Sequence, residues 1–90
     1  KQRPPTPENF IYDSDARIFR WDAIEDVTAY EAHYREAGEK GHWTAFYEGE
    51  ENSCSPPDSL SGISEFRVRA IAEKKESHWS RALEVTFPGS

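Results

Sequence analysis

Ninety residues with 17 acidic and 11 basic side chains leave a net charge of −6 and a pI near 5.0, a balance that argues against nucleic acid and makes an anionic membrane surface repulsive. At this length there is one domain, and folding removes only about 60 to 65% of the unfolded chain's surface from water. With 36% apolar residues, the 3 Trp, 4 Tyr and 5 Phe have to carry the core.

In chain order, Lys1 to Thr6 reads as an extended, proline-containing linker, and Phe10-Ile11-Tyr12 as a short edge strand behind those prolines. Asp13-Ser14-Asp15 is a turn, because Asp and Ser side chains bond to nearby backbone amides. Ala16 to Trp21 alternates with Phe19 and Trp21 on one face, a parity that would also aim Arg17 inward. Ala29 to Glu36 is the next strand, Tyr30, Ala32 and Tyr34 facing in and Glu31, His33 and Arg35 facing out. Ala37-Gly38-Glu39-Lys40-Gly41 is a hairpin loop. His42 to Tyr47 follows with Trp43 and Tyr47 on one parity and Phe46 on the other, so one of its faces is expected to expose apolar surface. Asn52 to Ser55 is a weak strand. Phe66 to Ala72 alternates again, with Phe66, Val68 and Ala70 inward, and a last strand runs from Arg81 to Phe87 after a loop at Glu73 to Glu76. No apolar run approaches the roughly 18 residues of a membrane helix.

Trp21-Asp22-Ala23 behind an alternating strand, the tyrosine pair Tyr30 and Tyr34, and Phe66-Arg67-Val68-Arg69-Ala70-Ile71 together resemble a fibronectin type III domain, from Pro4 to Thr86. The resemblance implies an all-β, seven-stranded antiparallel sandwich of immunoglobulin-like architecture, with residues 1–6 a linker, 7–87 the domain and 88–90 a second linker. It also implies no intersheet disulfide, in keeping with a single cysteine, Cys54, expected as a buried thiol. Family members commonly bury a tyrosine near the start of the Phe66 strand. Ser64 stands there, so that corner is absent or rebuilt, unless a shift of two residues brings Phe66 to it. The chain opens at Lys1 without a methionine and is expected to be a piece of a longer protein. Asn52-Ser53-Cys54 resembles the rare cysteine form of a glycosylation site.

No phosphate loop, nucleophile elbow, Cys-x-x-Cys or His-Glu-x-x-His occurs. His33, His42 and His78 lie on separate segments, whereas zinc needs three or four converging ligands. The expectation is no catalytic residue, no cofactor, no metal and no enzymatic activity. The Arg-Gly-Asp tripeptide by which some family members bind integrins is missing.

Two surfaces remain as binding candidates. One is the outer sheet face bearing His33, Phe46, Arg67, Arg69 and Trp79, aromatic and arginine-rich like interface hot spots. Within it, Ser77-His78-Trp79-Ser80 looks like the second half of the Trp-Ser-x-Trp-Ser motif of cytokine receptors, whose tryptophans stack on outward arginines. Glu76 stands where the first tryptophan would be. The other candidate is an acidic pole of Glu25, Asp26, Glu48, Glu50, Glu51, Glu73 and Glu76. Setting those seven carboxylates against Lys74 and Lys75 leaves five net negative charges.

The resemblance implies a protein-interaction or spacer module of a multidomain extracellular or cell-surface protein such as a receptor or adhesion molecule. Its partners would be proteins or neighbouring domains, without nucleic acid or direct membrane contact, and the isolated domain would be a monomer. Two alternatives stay open: an accessory spacer of a secreted enzyme such as a glycoside hydrolase, and the membrane-proximal domain of a cytokine-type receptor.

Overall fold

The computed structural model describes residues 3–38 and 42–88. Hairpin positions Glu39, Lys40 and Gly41 and the terminal linker residues Lys1, Gln2, Gly89 and Ser90 lie outside them. Among the described residues there are eight strands and no helix: β1 (Ile11–Asp13), β2 (Ile18–Arg20), β3 (Ala29–Glu36), β4 (Thr44–Gly49), β5 (Ser53–Cys54), β6 (Gly62–Ala72), β7 (Lys75–Glu76) and β8 (Leu83–Phe87). Strands β1-β2-β5 form one antiparallel sheet; β4-β3-β6-β7, with β8 also paired to β6, form the other. Because β3 occupies one edge of β6, β7 and β8 share its other edge. They stand where a single last strand was expected, which accounts for eight strands instead of seven.

Alternation is what builds the interior. Ser64, Phe66, Val68 and Ala70 of β6 are fully buried while Glu65, Arg67 and Arg69 between them are not. From the facing sheet, Phe19 supplies the central ring, 4.5 Å from Phe66 and 4.7 Å from Tyr12, with Phe10 and Phe46 completing its shell. Trp21 is 2% exposed and packs against Phe10, Tyr30 and Tyr47. Its backbone is clamped from both sides: the Trp21 amide donates to the Asn52 carbonyl, and the Asn52 side-chain amide donates to the Trp21 carbonyl at 2.7 Å.

Two local expectations are corrected, and of two alternatives left open at a third position one is met. Arg17 is exposed, in a turn with φ of 60° whose amide donates to the Asp13 carbonyl, so β2 begins at Ile18, two residues after the expected Ala16, and Arg17 stays out of the core. The aromatics of the His42–Tyr47 segment divide otherwise than their parity implies, with Trp43 and not Phe46 on the outer face, because the β3–β4 register shifts between Ala32 and His33. The extra residue lets Phe46 and Tyr47, neighbours in sequence, both pack inward, on Phe66 and Trp21 respectively. The Ser64 position remains a fully buried serine whose hydroxyl has no hydrogen-bond partner, so no polar corner is rebuilt around it.

Cys54 pairs with Phe19 across β2 and β5, and burial pushes its thiol up to about 12. A thiol reagent at mildly alkaline pH is therefore expected to leave Cys54 untouched in the folded domain and to modify it at once in urea. Rapid modification without denaturant would contradict the packing. Phe19→Ala is expected to lower unfolding free energy by about 3–5 kcal/mol. Ile11→Ala, at a side chain 47% exposed, should change it by less than about 1 kcal/mol; denaturant titration measures both.

Candidate interaction face of the larger sheet

On the solvent side of the five-stranded sheet, the register sets Arg35 opposite Glu65, His33 opposite Arg67, and Glu31 opposite Arg69. The two outer rows are ion pairs. Arg35 Nε donates to Glu65 Oε1 at 2.7 Å, and Arg69 donates to Glu31 Oε1 through Nε at 2.8 Å and Nη2 at 2.7 Å. Glu31 Oε2 also accepts from His33 Nε2 at 3.2 Å. The middle row has no carboxylate, and Arg67 makes neither an ion pair nor a hydrogen bond among the described residues; its Nε is buried without an acceptor.

Arg67 is held instead by rings. Its guanidinium lies 4.2 Å from the Trp43 ring and 3.9 Å from the Trp79 ring, while Arg35 covers Trp43 at 4.3 Å and Arg69 covers Trp79 at 4.4 Å. The result is one continuous stack, Arg35–Trp43–Arg67–Trp79–Arg69, each contact a cation over a π face. The His33 ring closes its flank, 4.5 Å from Trp79.

Trp79 reaches this stack because two serines stand in for a strand. Ser77 donates its amide to the Ala70 carbonyl at 2.8 Å and accepts the Ala70 amide on its hydroxyl at 2.8 Å. Ser80 does the same with Val68, at 2.9 and 3.0 Å. Each hydroxyl in turn donates a hydrogen bond to the carbonyl of the following residue, His78 and Arg81 respectively. The β6 backbone is thus satisfied between β7 and β8 while residues 78 and 79 arch over the face.

Burial works to raise the Glu31 carboxyl, but the hydrogen bonds from Arg69 and His33 outweigh it and hold the group below its usual value near 4.5. Burial, followed by the like charges of Arg69 and Arg35, lowers Arg67 from the ordinary guanidinium value, with Glu31 opposing; no arginine discharges at neutral pH on that account.

Of the expected face residues, His33, Arg67, Arg69 and Trp79 come together. Phe46 does not: its ring packs on Phe19, Tyr34 and Phe66, turned inward by the β4 bulge. Trp43 takes its place, with Arg35, Glu31 and Glu65 as further members that alternation alone could not rank above other surface charges. The neighbouring Phe46-Tyr47 pair is the signal that could have exposed the bulge, and Ser77 and Ser80 have no signal beyond their motif.

Of the acidic residues, Glu25, Asp26 and Glu73 line one open cavity with Pro4, Pro5, Lys74 and Lys75. Glu50 and Glu51 follow β4 at the same end of the sheet, Glu51 fixed by its amide donating to the Tyr47 hydroxyl. Glu76 uses its backbone carbonyl to accept from Arg3. Glu48 lies opposite Glu31 and so belongs to the rim of the stacked face. No group of three or more His, Cys, Asp or Glu side chains among the described residues could hold a metal ion.

Two antiparallel sheets in this order, closed over one aromatic interior, define the fibronectin type III fold, with its last strand divided by an arched segment. A solved fibronectin type III domain of the human KIAA0970 protein has the same architecture, with a TM-score of 0.69 at 16% sequence identity, covering 97% of this chain and 72% of that one. No protein-family model and no curated protein matches this sequence.

Ser77→Ala strands the buried Ala70 amide, and is expected to cost about 1–3 kcal/mol in denaturant unfolding; a change near zero would show that the hydroxyl is dispensable. Since the Glu31 carboxyl lies lower in the folded than in the unfolded chain, its contribution is present above about pH 4.5 and is lost as pH falls through the folded value. The stability gap between wild type and Glu31→Gln should therefore narrow in acid, and a gap that is constant with pH would contradict the pairing.

Proposed function

We propose that this domain is a non-catalytic protein-interaction or spacer module of a larger extracellular or cell-surface protein, and that the stacked face of its larger sheet is the surface it offers a partner. The fold supports the coarser part of this reading, since a fibronectin type III sandwich is a scaffold for interaction and spacing. The observation that carries the finer part is the stack itself. Two half-exposed tryptophans and three arginines stand in one fixed row on an outer face, the residue types that dominate interface energetics, held rigid before any partner arrives.

A second reading, a receptor's membrane-proximal domain, draws support from Ser77-His78-Trp79-Ser80. The segment arches over outward arginines as the cytokine-receptor motif does, with Trp43, just before β4, standing in for the tryptophan that Glu76 replaces.

The test is retention of cell-surface ectodomains on the immobilised domain. A partner using this face is expected to bind at least about tenfold more weakly to Trp43→Ala, a loss of the size a hot-spot truncation brings. It should bind unchanged to a Glu25→Gln, Asp26→Asn, Glu73→Gln variant of the acidic end. The reverse pattern would move the interface to that end, where binding should also weaken as salt rises.

A further inference from the structure

The stacked face has one cation too many, and its position is specific. Arg35 and Arg69 each neutralise a glutamate across the β3–β6 pair, whereas Arg67, in the row between them, faces His33 and carries no counter-charge. Both faces of its guanidinium are covered by indole, its Nε is shielded from water without an acceptor, and two like charges flank it. Only the outer edge of the fork is left for an incoming group. An ordinary surface arginine loses hydration and side-chain freedom when it binds an anion; at Arg67 folding has already removed much of both.

The surroundings also limit what can bind. Glu48 lies beyond Glu31 on β4, and Glu84 lies beyond Glu65 on β8, both on outward parity. The unpaired cation is therefore central and the rim is acidic. A single carboxylate meets attraction at the centre, whereas a chain of phosphates or sulfates would press its further charges against the rim.

We infer that Arg67 is the receptor for one carboxylate side chain, a glutamate or aspartate presented by a protein partner, held by the free edge of a guanidinium clamped between Trp43 and Trp79. The inference rests on the reading of this face as an interaction surface and adds the chemistry of its partner. A carboxylate accepting two N–H groups from the fork gives both the charge pairing and the direction that a planar guanidinium prefers.

The experiment is an NMR titration of the ¹⁵N-labelled domain with acetyl-Gly-Glu-Gly-amide, its Gln counterpart, and a sulfated oligosaccharide. The Glu peptide is expected to shift the Arg67 Nε–H and the Trp43 and Trp79 indole N–H resonances saturably, at least about tenfold more tightly than the Gln peptide, a difference of about 1.4 kcal/mol. Arg67→Gln should abolish saturation with its amide dispersion intact, and Arg81→Gln, at an exposed arginine outside the stack, should leave it unchanged. Equal shifts from both peptides, a response retained in Arg67→Gln, or tighter binding of the oligosaccharide would each overturn the assignment. The broader reading fails separately: a partner whose retention depends on Trp43 but not on Arg67 leaves the interface standing and removes the carboxylate receptor.

Discussion

The pairing of β3 with β6 is the constraint on which both sides of this domain depend. Eight consecutive residue pairs run from Ala29↔Ile71 to Glu36↔Ser64. A slip of one residue would turn every side chain to the opposite face, so the inward-facing pairs Tyr30↔Ala70 and Tyr34↔Phe66 select the parity. A slip of two keeps the parity, and there the charges decide. Moved one way it would set Arg35 against Arg67 and Glu31 against Ile71; the native register sets both glutamates against arginines. Burial chooses the face, and ion pairing chooses among registers that share it.

That division of labour explains how a cluster of three arginines is tolerated. An exposed ion pair contributes little, about 0–1 kcal/mol, and a partly buried lone cation costs energy. Each indole returns roughly 0.5–2 kcal/mol per cation placed over it. Trp43 and Trp79 each touch two arginines, so every guanidinium in the stack has a ring and the two outer ones have a carboxylate as well. What the stack leaves unsatisfied is concentrated at its centre, on Arg67, and not spread along its length.

Much of the interior was legible from the chain because period-two alternation reports burial directly. Phe19, Trp21, Tyr30, Ala32, Phe66, Val68 and Ala70 are all buried, on the parities their spacing implies. What alternation cannot report is a break in itself. Regular alternation puts Phe46 on the face opposite Trp43 and Tyr47, and only the extra residue in β4 brings it in beside Tyr47. Alternation aims Arg17 inward, because a turn residue at positive φ, common for neither arginine nor any other bulky side chain, leaves no mark in composition. The Arg–Glu rows were visible as outward charges, but which arginine would lack a partner depends on register, and register is a property of two strands at once.

The two tryptophans show what those breaks accomplish. Were the Ala32↔Tyr47 register of β3 and β4 continued without its bulge, Trp43 would fall opposite Glu36, on the parity that faces the core. The extra residue at Phe46 brings Trp43 opposite Arg35 instead. On the far edge of β6, continuing from Ile71↔Glu76 and Ala70 bonded to Ser77 would set Trp79 opposite Val68, again on the buried parity. Because Ser80, one residue later, bonds to Val68, Trp79 emerges over Arg67 and Arg69. On either side of the β3–β6 pair a single inserted residue turns an indole from the interior to the outer face, and from there both indoles close on the guanidinium of Arg67. An irregularity on one edge alone would leave one face of that arginine bare, so the stack requires both bulges together. That requirement ties the shape of the outer surface to two backbone irregularities, the first of which also seats Phe46 against the core.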